Sequence, residues 1–479
     1  MVAVQLMLLG AASLAFAQRR LAPQTNTFNS NYELPDDIIE EADFDDDDVN
    51  NIQVTVRFEQ TNWATGSVFS DPFYTSLPSK AKTAPAGTLL KVEETTPVGN
   101  YTVAPTLSLS RIVYQSKNLR GDLVPVSGYI LWPYEPRNGA KKAPLVTWGH
   151  GTSGFLPECA PSHIRNLWYQ FSGPFELALS GYAVVATDYA GLGVSKNADG
   201  DTIWHEVSAS PAAGQDLLYA AQAAYAAFPD KLTRDFVAMG HSQGGGAAWG
   251  AAQQQLKLKV PGYKGAIALS PVTRPVEMVR GLTYTNVLLA ESFLQLYPDM
   301  DISEILTPEG EIVLDVLKET QACQSTLTEV VQAFVKQDPT LPWGNPDFEN
   351  NPNLLEWERQ INLGGKDFKG PMLVVEGFND AIVPEPLTTR VVQETCKKVP
   401  KKSLEYVRAK GVGHVPLMYA SRQVWLGWLD DCFFGKGCKS EKGKCEFSTI
   451  GENTPRPLDT YTGDLSYFLS PALEAYQVA

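Results

Sequence analysis

From about residue 108 the chain repeats one pattern: short runs that are almost wholly apolar, with helical stretches between most of them. The runs are "VPVSGYILWP" (124–133), "APLVTWGHG" (143–151), "YAVVATDYAG" (182–191) and "DFVAMGHS" (235–242). "YKGAIALSPV" (263–272), "GPMLVVEGF" (370–378) and "SLEYVRAKG" (403–411) continue it. A strand with one face in water alternates apolar and polar residues, so a run that is apolar throughout must be covered on both faces. Runs of this kind separated by helices predict an α/β fold with a mostly parallel central sheet and helices on both faces. "SPAAGQDLLYAAQAAYAAF" (210–228) is the strongest of those helices by propensity.

One interval breaks the rhythm. About a hundred residues separate "AIALSPV" from "PMLVVEG", far more than a crossover helix needs. Apolar residues there recur at three and four, so several helices are expected as an inserted cap. The predicted organisation is a leader at 1–17, an acidic and disordered arm at 18–60, and a first part of the core at 61–272. The helical cap insertion follows at 273–369, then the last part of the core with its tail at 370–479.

The leader is read from "MVAVQLMLLGAASLAFAQRR", an apolar run ending in Ala15-Phe16-Ala17, which has the form of a cleaved secretory signal. It is too short to span a bilayer, and no later segment is long and apolar enough to do so. Ten acidic side chains fall within residues 33–48; without them the net charge of −15 shrinks to about −5. That balance gives no basic footprint for nucleic acid and no basic stripe for a membrane. Six cysteines (Cys159, Cys323, Cys396, Cys432, Cys438 and Cys445) in a secreted chain point to disulfides. Their spacing does not fit a zinc site. Asn100-Tyr101-Thr102 is a glycosylation acceptor triplet.

Chemistry concentrates around Gly240-His241-Ser242-Gln243-Gly244. A strand precedes this segment and a helix of small residues follows it, which is the setting of a nucleophile on a sharp strand-to-helix turn. The glycines leave room where a β-carbon would strike backbone, and the serine itself must take a strained conformation. A serine hydroxyl needs a base. Of the five histidines only His414 lies beyond Ser242, and in this arrangement nucleophile, acid and base follow one another along the chain.

"VVEGFNDAIVPEP" offers Glu376, Asp380 and Glu385 as the acid. Asp380 sits just past the carboxyl end of a strand and is the preferred member; Glu376, within the strand, is the alternative. The tetrahedral oxyanion needs backbone donors. One is the N–H of Gln243, and the other comes from "TWGHGTSG", where Thr152 is favoured and Gly151 is the alternative. His150 either orders that loop or is a buried histidine with satisfied bonds. The glycines of "DYAGLGVS" (188–195) fit a loop at the carboxyl edge of the sheet better than a nucleotide fingerprint.

With these residues in place the chain resembles the α/β-hydrolase superfamily, and within it the fungal secretory lipase family. The resemblance runs from about residue 60 to 445 and rests on "GHSQGG", the "ECAPS" segment at 158–162, "DYAGLG", "FND" and "GVGH". The yeast members of that family carry glycine where this chain has Gln243. The resemblance implies ester hydrolysis, a helical cap over the acyl site, and disulfides pairing Cys159 with Cys323 and Cys396 with Cys432 or Cys438. The cluster of three cysteines near the end suggests a further bridge from Cys438 to Cys445.

The leading expectation is therefore a secreted serine hydrolase acting on small-molecule or lipid esters, complete without metal or cofactor. A hydrolase or acyltransferase for one secondary metabolite uses the same triad. A peptidase of the same fold needs a device for a free amine or a proline, and a binding protein on an inactive scaffold usually lacks a triad member.

Overall fold

A computed structural model of the protein describes residues 30–280, 285–435, 437–438 and 443–463. The expected leader lies outside the described residues.

Ten strands among the described residues make one sheet. They are β1 (Leu89–Glu93), β2 (Ser108–Lys117), β3 (Leu123–Trp132), β4 (Ala143–Gly149) and β5 (Ala183–Thr187). β6 (Leu232–His241), β7 (Tyr263–Leu269), β8 (Met372–Gly377), β9 (Leu404–Ala409) and β10 (Cys445–Ile450) complete it. The strand order is β1-β2-β3-β5-β4-β6-β7-β8-β9-β10. β1, β2, β3 and β5 pair antiparallel, and every pairing from β5 onward through β4 to β10 is parallel. The sheet is thus mostly parallel, as the apolar runs predict. The antiparallel entry β1–β2 and the partly exposed β10 carry weaker patterns and lie outside those runs.

The helices are α1 (Asp36–Glu41), α2 (Asp46–Thr61), α3 (Pro72–Thr75), α4 (Pro174–Leu179), α5 (Ser210–Ala227) and α6 (Gln243–Leu258). Between β7 and β8 come α7 (Pro275–Val279), α8 (Thr285–Leu296), α9 (Pro308–Glu319), α10 (Gln324–Gln337) and α11 (Pro352–Ile361). The last three are α12 (Glu385–Lys398), α13 (Pro416–Ala420) and α14 (Arg422–Phe434). None of the described helices is long and apolar enough to cross a membrane.

The period of two along each strand divides the core. Leu145, Val185, Ala238, Ala268 and Val374 join a cluster with α5, α6, α12 and the insertion between β7 and β8. Their neighbours Val146, Val184, Val237, Ile267 and Val375 join a second cluster with α4, α13 and α14. α5 and α6 lie very close: a β-carbon on Gly246 would stand 2.7 Å from the Val272 carbonyl oxygen and 2.8 Å from Ser210 Oγ. Small residues at this crossing let α6 press onto the sheet directly behind its own N-terminus.

Two expectations are corrected. The acidic segment is not a disordered arm where it is described: α1 and α2 occupy most of residues 36–61. Asp45 caps α2 by accepting from the Asp47 and Asp48 amides, and acids in the first turn favour a helix N-terminus. Ile52 and Val56, one turn apart, are fully buried, and Phe44 packs edge-on against Phe334 of α10. Glu59 near the end of α2 accepts from the Cys323, Ser325 and Thr326 amides and the Thr326 hydroxyl at 2.8–3.0 Å. One carboxylate thereby collects the free N–H groups at the start of α10.

Disulfide pairing is the second correction. Cys159 is bonded to Cys323, the pair the resemblance implied, but Cys396 is bonded to Cys445 and Cys432 to Cys438. The reason is β10. It runs parallel to β9 and brings Cys445 to α12, which carries Cys396. Cys438, six residues beyond Cys432, lies beside it.

Candidate active site

Parallel strands present their carboxyl ends along one edge, and Thr152, Ser242, Asp380 and His414 each follow such an end. Ser242 stands between β6 and α6 at φ 60°, ψ −121°, outside the usual regions for a residue with a side chain. Backbone bonds hold it there: its N–H donates to the Leu269 carbonyl at 2.9 Å, and its own carbonyl accepts from Val272 at 3.1 Å. A β-carbon at Gly240 or Gly244 would run into the backbone of Gly149 or Gly244. The turn thus has the strained, glycine-flanked form the sequence predicts.

Asp380 follows β8 and His414 follows β9. His414 Nδ1 lies 2.7 Å from Asp380 Oδ2, which commits Nδ1 as donor and leaves Nε2 as the basic nitrogen. The other carboxylate oxygen of Asp380 accepts from the Ile382 and Val383 amides at 2.9 and 2.8 Å. Burial alone would push the Asp380 carboxyl up, but the His414 charge and these donors hold it down to about 2. It is ionised and aimed.

Glu376, the alternative acid, faces elsewhere. It is fully buried in β8 and accepts from Ser270 Oγ and the Gly377 amide, each at 3.0 Å. Burial, and then the neighbouring Asp380 charge, push its carboxyl well above the ordinary range, which favours the protonated form. Glu385 opens α12 and pairs with Thr389 and Arg408.

The loop after β4 lies against Ser242: a β-carbon on Gly151 would be 3.2 Å from Ser242 Cβ. The Gly151 carbonyl accepts from Trp168 Nε1 at 3.1 Å and lies 2.8 Å from His150 Nδ1. Burial pushes His150 down to about 4, so its ring is neutral with a single donor. The contact to Gly151 is shorter than the 3.3 Å from Nε2 to the Asp188 carbonyl and takes that proton. His150 therefore orders the loop. In a trans peptide the N–H points opposite the carbonyl, so fixing the Gly151 carbonyl also fixes the direction of the Thr152 N–H. Thr152 Oγ1 donates to Gln243 Oε1 at 2.9 Å, joining the two proposed oxyanion residues.

Three further side chains support these residues, and two of them, Tyr169 and His205, have no local signature in the sequence. His241 Nδ1 accepts from the Tyr169 hydroxyl at 2.6 Å, and its Nε2 donates to the His414 carbonyl at 3.0 Å. Burial, helped by the nearby His414, pushes His241 down to about 3, so it stays neutral. Tyr169 belongs to a tight segment in which Leu167, Trp168 and Gln170 all have positive φ. His205 is the third, 2.9 Å from Gln243. Asn100 is exposed, in a short turn.

The profile of the family described as serine aminopeptidase, S33, matches residues 174–418, just over half of the chain. No curated sequence matches. Among solved structures, Candida antarctica lipase A in its closed state aligns with a TM-score of 0.62 at 17% identity, covering 87% of this chain and 95% of that one. Another structure of Candida antarctica lipase A gives 0.64 at 18% identity, covering 82% and 92%. The rice cell wall degrading esterase LipA from Xanthomonas oryzae gives 0.55 at 17% identity, covering 74% and 100%. At these identities the likeness establishes a shared fold.

Proposed function

Because the chain belongs to the serine aminopeptidase S33 family of α/β-hydrolases, we propose that it is a secreted enzyme that hydrolyses carboxylic esters through Ser242, His414 and Asp380. The observation that carries this reading is the 2.7 Å bond from His414 Nδ1 to Asp380, beside a serine held at φ 60° where a strand enters a helix. His414 Nε2 takes the hydroxyl proton as Ser242 Oγ attacks the ester carbonyl. The tetrahedral oxyanion is met by the backbone N–H groups of Gln243 and Thr152. Collapse expels the alcohol with the proton from His414. Water, activated by the same imidazole, then releases the acid and restores the serine. Asp380 stays ionised throughout and favours the protonated imidazole that forms in each half.

Lipid esters are the preferred substrate class. The five helices at 273–369 act as a cap contributing the acyl-binding surface, and the similar structures carry the names lipase and esterase. Three disulfides, the apolar leader at 1–17 and the exposed acceptor Asn100 support an extracellular, glycosylated protein. The description of the family favours a second reading, an aminopeptidase on the same triad.

The test is a p-nitrophenyl ester series from acetate to palmitate beside aminoacyl p-nitroanilides, with Ser242→Ala as control. Long-chain turnover lost in the control supports the lipase reading. Anilide turnover without ester turnover replaces it with the peptidase, and inactivity on both sets removes it.

A further inference from the structure

Gln243 contributes more than its backbone N–H. Its side chain lies in a chain of hydrogen bonds whose direction is fixed from one end. The Ala190 carbonyl can only accept, so His205, with Nδ1 at 3.1 Å from it, carries its proton on Nδ1. A neutral ring then offers a lone pair at Nε2, which accepts from Gln243 Nε2 at 2.9 Å. That places the amide oxygen of Gln243 toward Thr152, whose hydroxyl donates to it at 2.9 Å. Every link agrees with the one before it.

Burial pushes His205 down to about 4, which keeps the ring neutral at physiological pH. Its ring stacks on Tyr189 at 5.6 Å and 14°, and Tyr189 packs on His150 at 4.4 Å. The far end is anchored too: the Ala190 amide donates to Asp216 of α5 at 3.1 Å. His205 and Gln243 are buried. Nothing in the serine mechanism itself calls for these side chains.

Resting on the reading of Gln243 and Thr152 as the oxyanion donors, we propose that the Gln243 side chain and His205 form a bracket that sets the spacing of those two backbone N–H groups. The donors belong to different elements, the loop after β4 and the first turn of α6, and the Thr152–Gln243 bond spans the gap. His205 fixes which way the amide faces. Without it the amide is free to turn, and Thr152 loses its acceptor. Both are positioning residues. Because the oxyanion forms only on the way to the tetrahedral intermediate, loosening the bracket lowers kcat and leaves KM nearly unchanged.

The experiment uses the full-length protein with p-nitrophenyl butyrate, and active sites are counted by titration with a fluorophosphonate. Gln243→Met and His205→Phe keep volume and remove the bonds. Each is expected to lower kcat per titrated site by roughly 10- to 100-fold, the scale of a small displacement in a catalytic site. The double variant should be no worse than the poorer single, since both break one chain. His205→Gln, which keeps an acceptor toward Gln243 and a donor toward Ala190, is expected to recover most of the rate. Unchanged kcat per site in both single variants overturns the bracket.

If the wild-type protein turns over no ester, the functional reading fails separately. The bracket is then judged by imidazole nitrogen-15 shifts, with the His205 signals assigned by their loss in His205→Phe. A neutral ring with its proton on Nδ1 supports it, and a proton on Nε2 overturns it.

Discussion

His241 Nε2 donates to the backbone carbonyl of His414 at 3.0 Å, so the residue just before the proposed nucleophile holds the chain segment that carries the proposed base. The two rings lie 4.4 Å apart, and Tyr169 fixes the other side of His241. Strand β6 and the loop after β9 are not neighbours in the sheet. The histidine joins them.

His241→Ala leaves a cavity, the Tyr169 hydroxyl and the His414 carbonyl without this partner. It is expected to lower stability by about 2–4 kcal/mol and kcat by roughly 10- to 100-fold. Thermal unfolding and steady-state kinetics on the folded fraction measure the two effects. A folded variant with wild-type kcat would show that His414 needs no such support.

Asp380 and Glu376 are expected to answer the same change differently. Asp380→Asn cannot hold the imidazole in its working tautomer, and kcat should fall by roughly 10³- to 10⁴-fold. Glu376→Gln replaces a carboxyl whose burial favours the protonated form with an amide of the same shape, and activity should stay within about threefold. Comparable losses in both variants would mean that the two carboxyls share the charge.

Stability should fall between pH 6.5 and 8. Burial raises Glu206 to about 8 and Asp216 to about 7, so the unfolded chain releases these protons first and rising pH favours unfolding. His150, His205 and His241, lowered to about 4, 4 and 3, act in the opposite sense. Their contribution is complete above the unfolded histidine value near 6.5 and fades as pH falls from there toward 4. Between about pH 4 and 6.5 the two sets oppose each other, and above that range only the acids still change. The Tm measured by scanning calorimetry should be higher at pH 6 than at pH 8, and Glu206→Gln should flatten the difference. A Tm that climbs from pH 6.5 to 8 contradicts this assignment.

Glu59 is expected to matter far from the nucleophile. Glu59→Ala exposes four donors at the start of α10, with an expected loss of about 2–4 kcal/mol. Amide hydrogen exchange at residues 324–328 should rise first, while Glu59→Gln keeps an acceptor and loses less. Unchanged exchange there would show that Cys159–Cys323 alone secures this end of the helix.

Much of this arrangement is legible in the sequence because it has a local cause. Fully apolar runs announce strands covered on both faces, glycines two residues either side of Ser242 announce the sharp turn, and a single histidine after it is the proposed base. The acidic segment misleads because charge dominates its composition, while the helical signal rests on only a few apolar positions such as Ile52 and Val56. β10 is an exposed edge strand, and without it the partner of Cys396 cannot be assigned. Tyr169, His205 and the side chain of Gln243 work through partners distant along the chain. No period or motif records such contacts.

The bond between Cys159 and Cys323 joins positions 164 apart and closes a covalent ring around the serine. Tyr169, His205, His241, Ser242 and Gln243 lie within this ring; Thr152, Asp380 and His414 lie outside it. The turn at Asp199, Gly200 and Asp201 is exposed and within the ring, the kind of loop tip that proteases nick first. A single cut there yields two polypeptides that remain one molecule, with Ser242 still tied to both.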